Sequence, residues 1–175
     1  MNNITINSNS NDIKEMEKLF PRAPLKIIAM EGCKELGQKV NDYIVNFRQS
    51  SYREELKSPM YATYLQDNYL VDAHCPRFGS GEAKGVLNES VRGKDLFIMT
   101  DVCNYSLTYS VNGYVNHMSP DDHYQDLKRM IAAVAGKARR ITVIMPFLYE
   151  SRQHRRTARE SLDCALALQE LVRMG

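Results

Sequence analysis

The four cysteines, Cys33, Cys75, Cys103 and Cys164, include no short-range pair. Zinc clusters draw ligands from closely spaced residues, and disulfide frameworks need a dense set, so this scatter argues against both. The thiols read as reduced. No apolar run approaches the ~20 residues a bilayer span requires. Met1 to Asp12 is rich in Asn and Ser, without the charged-then-apolar order of a secretory leader. A soluble, cytoplasmic protein is expected, with no membrane contact. Net charge is only +2, too little for a protein that coats nucleic acid, so any anion site has to be local. The four histidines, His74, His117, His123 and His154, lack the helical spacing of metal ligands. They read as surface or packing residues, and no metal site is expected. Internal repeats are absent too.

What is present is one strongly marked stretch, Arg139 to Glu160. Ile141 to Phe147 is a continuous apolar, β-branched run of the kind buried on both faces of a parallel sheet, and it predicts the central strand. After it come Arg152, Arg155, Arg156 and Arg159, with Gln153 among them, just past the strand's carboxyl end, where open α/β sheets bind ligands. Guanidiniums offer bidentate geometry to phosphate oxygens. From composition alone this is either a nucleotide-binding loop or a solvated basic loop.

The remaining chain alternates strand and helix signals. Strands are predicted at Leu25–Met30, Tyr69–Ala73, Ala83–Leu87 and Leu96–Thr100. Helices are predicted at Leu36–Phe47, with Leu36, Val40, Tyr43, Ile44 and Phe47 on its apolar face, and at Asp121–Ala135, started by Ser119-Pro120 and ended by Gly136. A third runs from Ala158 to Arg173 with Leu162, Ala165, Leu166 and Val172 along one side. Asn112-Gly113 suggests a hairpin turn within 101–118. Residues 48–68 read as irregular or partly helical, and 1–24 as a tail and lead-in. The fold class is α/β, a mainly parallel sheet flanked by helices. A chain of 175 residues makes one domain able to bury about 68–70% of its unfolded surface.

Two blocks carry a resemblance. Arg140 to Phe147 followed by Ser151-Arg-Gln-His-Arg155, and Arg77-Phe-Gly-Ser-Gly-Glu82 followed by Asn88 to Asp95, resemble ribose-phosphate pyrophosphokinase in the right order. The resemblance covers Leu25 to the end and corresponds to the first half of a full-length member, a phosphoribosyltransferase-like domain. It implies diphosphoryl transfer from ATP, with Mg2+, to ribose 5-phosphate, releasing AMP. It also implies that Phe78, Ser80 and Glu82 reach the adenine end of a neighbouring subunit's ATP in a homo-oligomer. Arg152, Gln153, His154 and Arg155 would form the nucleotide loop of the chain's own site. Where the family has acids, this chain has Ser80 and His154. Ser80 keeps a hydrogen-bonding oxygen but no carboxylate, and His154 changes charge near neutrality. The family's metal-binding histidine and its ribose 5-phosphate loop correspond to positions beyond Gly175, so no catalytic residue is expected here and the chain alone is expected to be inactive. A non-catalytic regulatory subunit of the same family is the alternative. An RNA-binding domain ranks last, since no aromatic pair interleaves with the arginines.

Overall fold

The computed structural model describes residues 23–50 and 63–175. The expected tail at 1–22 and most of the irregular stretch at 48–68 lie outside the described residues. In chain order the elements are β1 (Leu25–Ala29), α1 (Lys34–Ser50), β2 (Ala73–His74), β3 (Val86–Leu87) and β4 (Asp95–Met99). They continue with β5 (Thr108–Val111), β6 (Tyr114–His117), α2 (Pro120–Val134), β7 (Arg140–Ile144) and α3 (Asp163–Arg173). Short 3-10 turns sit at Glu31–Cys33 and Ser151–Gln153.

The main sheet is parallel, in the order β1-β4-β7. Its central strand is therefore β4, where Leu96 and Ile98 are fully buried. The expectation that Ile141–Phe147 is central does not hold. That strand stops at Ile144, lies at an edge, and leaves Arg140 and Ile144 exposed. Pro146 has no N–H to give a ladder, and the Met145 sulfur accepts from the Tyr149 N–H instead, at 3.2 Å. On the other side of β1, Ile27 N–H donates to Tyr69 O and Val71 N–H to Ile27 O, both at 2.8 Å. The predicted strand at Tyr69–Ala73 is thus reduced to one parallel bridge, Ile27 to Leu70. Its end contributes β2, which pairs antiparallel with β3, the shortened form of Ala83–Leu87.

Both sheet faces are covered. Ile28, Leu96, Ile98, Leu127, Met130 and Val134 form one core, with α3 docked through Ala167, and Ile27, Cys33, Tyr69 and Met99 form a second beneath α1. Helix α1 keeps its predicted face in part: Val40 and Ile44 pack against the second core, but its other three positions are exposed. Leu36, Tyr43 and Phe47 are 46%, 71% and 56% exposed, whereas Gly37 and Asn41 are buried. The helix approaches β1 on its smallest residue, so closely that a Cβ on Gly37 would lie 2.5 Å from the Ala29 Cβ. The Asn41 carbonyl also accepts from the Tyr69 N–H at 2.8 Å.

Helix α2 follows its sequence signals. Ser119 and Asp122 make a reciprocal capping box, and the helix ends through left-handed Ala135 and Gly136, with Tyr124, Leu127, Ile131 and Val134 buried. Helix α3 begins five residues late. Glu160 accepts from Thr157, and Gln153 Nε2 donates to Ser161 O at 2.9 Å, which holds 157–161 as loop. Its buried residues are Cys164 and Ala167, while Leu166 and Val172 face solvent. The hairpin of β5 and β6 turns through Asn112 (φ 50°) and Gly113 (φ 85°), both positive as the predicted turn requires. No helix among the described residues is long and apolar enough to cross a membrane.

Candidate functional site

From β1 the chain passes one way, through α1, to Leu70, and later returns on the other side as β4. That reversal makes the crevice beyond the carboxyl ends of β1 and β4 a topological switch point, where backbone groups diverge and leave room for a ligand. A cavity of about 280 Å³ lies there, lined by Met30, Glu31, Thr100, Arg77, His123 and Asp126 among others, with Leu107, Thr108 and Tyr109 contributed by the hairpin segment.

Arg77 anchors this crevice. Its Nη2 donates to Asp126 Oδ2 at 2.7 Å, its Nη1 to Gly81 O at 3.2 Å, and its guanidinium lies 4.7 Å from the centre of the Tyr109 ring. Arg129 donates to the other oxygen of Asp126 at 2.6 Å. Asp126 is 5% exposed. Its burial raises the carboxyl pKa against the opposing pull of Arg129 and Arg77.

The first predicted loop extends from Arg77. Phe78 N–H donates to Glu82 O at 2.7 Å and Gly81 N–H to Phe78 O at 2.9 Å, which closes a tight turn. Gly81 has φ 89° and lies so close to the hairpin that a Cβ would meet Val111 at 3.0 Å, so glycine is required on both counts. Phe78 is half-exposed, and Ser80 and Glu82 are exposed. Ser80 Oγ donates to Glu82 Oε2 at 2.8 Å.

The second loop follows β7. Tyr149 stacks on Tyr124 with ring centres 4.2 Å apart and donates to Asp121 Oδ1 at 2.7 Å. Glu150 then takes a left-handed conformation (φ 56°) and the 3-10 turn begins. Gln153 and His154 are occupied in shaping the loop, Gln153 by its bond to Ser161 O and His154 by Nδ1 against Ser151 O at 3.0 Å. Since that oxygen only accepts, His154 Nδ1 carries the proton. Arg152, Arg155, Arg156 and Arg159 are exposed, and none has a carboxylate partner among the described residues. They present free guanidiniums beyond the end of β7.

The predicted residues therefore form separate groups. Phe78, Ser80 and Glu82 hang from α2 through Arg77 and Asp126; Arg152, Gln153, His154 and Arg155 hang from it through Tyr149, Tyr124 and Asp121. No hydrogen bond or ion pair among the described residues joins the two loops. The crevice residues Asp126, His123 and Tyr109 were not anticipated. A signal existed for Asp126, an acid one residue from Leu127 on the buried side of an amphipathic helix, which asks for a cationic partner.

Residues 25–175 match the family described as the N-terminal domain of ribose phosphate pyrophosphokinase. The chain is 32% identical over 103 residues to ribose-phosphate pyrophosphokinase of Parasynechococcus marenigrum, covering 58% of this chain and 27% of that protein. It is 31% identical over 116 residues to the Maricaulis maris protein of the same name, covering 65% and 33%. The chain thus spans a third or less of the length of these relatives. In fold it is similar to phosphoribosylpyrophosphate synthetase from Mycobacterium smegmatis, with a TM-score of 0.59 at 22% identity over 86% of this chain and 39% of that one.

Proposed function

Since this chain belongs to the family of ribose phosphate pyrophosphokinase N-terminal domains, we propose that it is the nucleotide-side domain of a ribose-phosphate diphosphokinase. In that role it binds ATP for transfer of diphosphate to ribose 5-phosphate, within a homo-oligomer. The observation that supports this reading most is the loop of free guanidiniums at Arg152 and Arg155, shaped by Gln153 and His154 and set beyond a parallel strand. Phosphoryl transfer demands charge neutralisation and alignment more than covalent catalysis, and fixed guanidiniums supply the first.

Phe78, half-exposed beside Glu82, offers an aromatic face to a neighbouring subunit's adenine. Magnesium enters this reading with the ATP phosphates. Among the described residues no three His, Cys, Asp or Glu side chains gather to hold a metal, and no step is assigned to one. The alternative, a non-catalytic regulatory subunit, draws support from the Ser80 to Glu82 bond, which engages the carboxylate that the resemblance directs toward adenine.

The test is AMP release from ATP, magnesium and ribose 5-phosphate, run beside light scattering, for residues 1–175 alone and for any longer product of the parent gene. ATP binding and self-association without turnover by the 175 residues, and turnover by a longer product, are expected. A longer product that binds ATP but never turns over establishes the regulatory reading. Turnover by the 175 residues alone overturns the assignment of catalysis elsewhere.

A further inference from the structure

The crevice cavity is used by neither loop. We propose that it is a separate binding site for a planar nitrogen heterocycle of nucleobase size, held under the β5–β6 hairpin. This does not depend on the function proposed above.

Three observations carry it. The first concerns His123, which is 5% exposed. Its Nε2 lies 2.6 Å from Asn104 O, a group that only accepts, so Nε2 holds the proton and Nδ1 holds a lone pair. Nδ1 has no protein partner, and no fully enclosed side-chain nitrogen or oxygen among the described residues lacks one. Nδ1 is therefore not fully enclosed among the described residues, and since His123 lines the cavity, its lone pair is free to take a ligand N–H. The second is Arg77, which spends one N–H on Asp126 and one on Gly81. A guanidinium has five, so donors remain at the same wall for a ligand acceptor, while Thr100 adds a hydroxyl. An acceptor and donors facing one space match the mixed edge of a nucleobase.

The third is charge and size. Arg77 and Arg129 share the single carboxylate of Asp126, so Arg77 meets a ligand as a hydrogen-bond donor held in place by that carboxylate. Burial, then the Asp126 charge, pushes the Cys75 thiol up to about 12, so it adds no negative charge to the wall. The remaining wall is apolar, with Met30, Leu107 and Met118 beside the Tyr109 ring. About 280 Å³ is just below the roughly 300–1,000 Å³ of ligand pockets for drug-sized molecules. That space admits a single ring system.

Calorimetric titration with adenine, hypoxanthine and uracil tests the site, with inorganic phosphate as the opposing arm. Expected is one base bound per chain. Leu107→Trp, which fills the cavity from the hairpin side, should weaken binding about tenfold or more, while Phe78→Ala and Arg152→Ala leave it unchanged. Because His123→Leu could disturb folding, the His123 ring nitrogen shift on base addition gives a second readout in the unaltered protein. No binding of any base at millimolar concentration, equal affinity in Leu107→Trp, loss in Phe78→Ala, or displacement by phosphate would each overturn the proposal.

Discussion

Arg77 and Asp126, 49 residues apart in sequence, meet at 2.7 Å with side chains only 13% and 8% exposed, and this contact ties the Phe78–Glu82 loop to α2. Removing one member of a buried pair leaves the other charge without compensation, which costs about 3–5 kcal/mol. Asp126→Ala is the severe case, because it strands Arg77 and Arg129 together. Urea denaturation should show a loss in that range. A loss below about 1 kcal/mol would mean that water reaches the guanidiniums and the pair does not anchor the loop.

Helix α1 offers a contest between two effects at Gly37. Replacing a helix-interior glycine by alanine gains up to about 1 kcal/mol of helix propensity, but at Gly37, in the first turn, the new methyl would meet the Ala29 Cβ at 2.5 Å. Overpacking costs about 1–3 kcal/mol, and the sheet cannot recede without breaking the β1 ladder. Gly37→Ala should therefore lower the thermal midpoint, and a raised midpoint would show that α1 shifts freely.

The stacked pair Tyr124 and Tyr149 sets the response to alkali. Burial, then Glu170, pushes the Tyr124 phenol up to about 12, and burial, then its bond to Asp121, also raises Tyr149. A folded state that holds its phenol protons more tightly than the unfolded chain is favoured fully below the ordinary value of 10.0. That advantage is lost as pH rises through about 12, because unfolded tyrosines release protons first. Stability should fall between those limits, with delayed tyrosinate absorbance. Tyr124→Phe should make the fall shallower while costing about 1 kcal/mol at neutral pH, through loss of its bond to Ala167 O. An unchanged alkaline slope in this variant would assign the effect to other groups.

Arg152 and Arg155 should separate binding from stability. Charge-assisted hydrogen bonds contribute about 1.5–3 kcal/mol each, so either alanine variant should weaken ATP binding roughly 10–100-fold. Added salt should weaken the unaltered protein's binding as well. Both side chains are exposed and have no carboxylate partner among the described residues, so unfolding free energies should stay within about 0.5 kcal/mol. Equal ATP affinity in the variants would remove this loop from nucleotide binding.

The sequence by itself determined whatever depends on neighbours along the chain. The Ser119 helix cap, the Asn112-Gly113 turn and the alternation of strand and helix were legible because each rests on local dihedral preference or a bond spanning a few residues. So were the two family motifs, as strings. Only the tertiary structure decided which apolar group is sheltered from water. An apolar run such as Ile141–Phe147 states that burial is favourable, but a strand is central only when partners arrive on both sides, and here β4 has them. Likewise the apolar side of α1 is only partly sheltered, Val40 and Ile44 packing inward while Leu36, Tyr43 and Phe47 stay exposed, because close approach to β1 through Gly37 depends on what the sheet presents. The crevice follows the same logic. Tyr109 and His123 are unremarkable in their local sequence, and with Arg77 and Asp126 acquire a shared role only where the hairpin folds over the ends of β1 and β4.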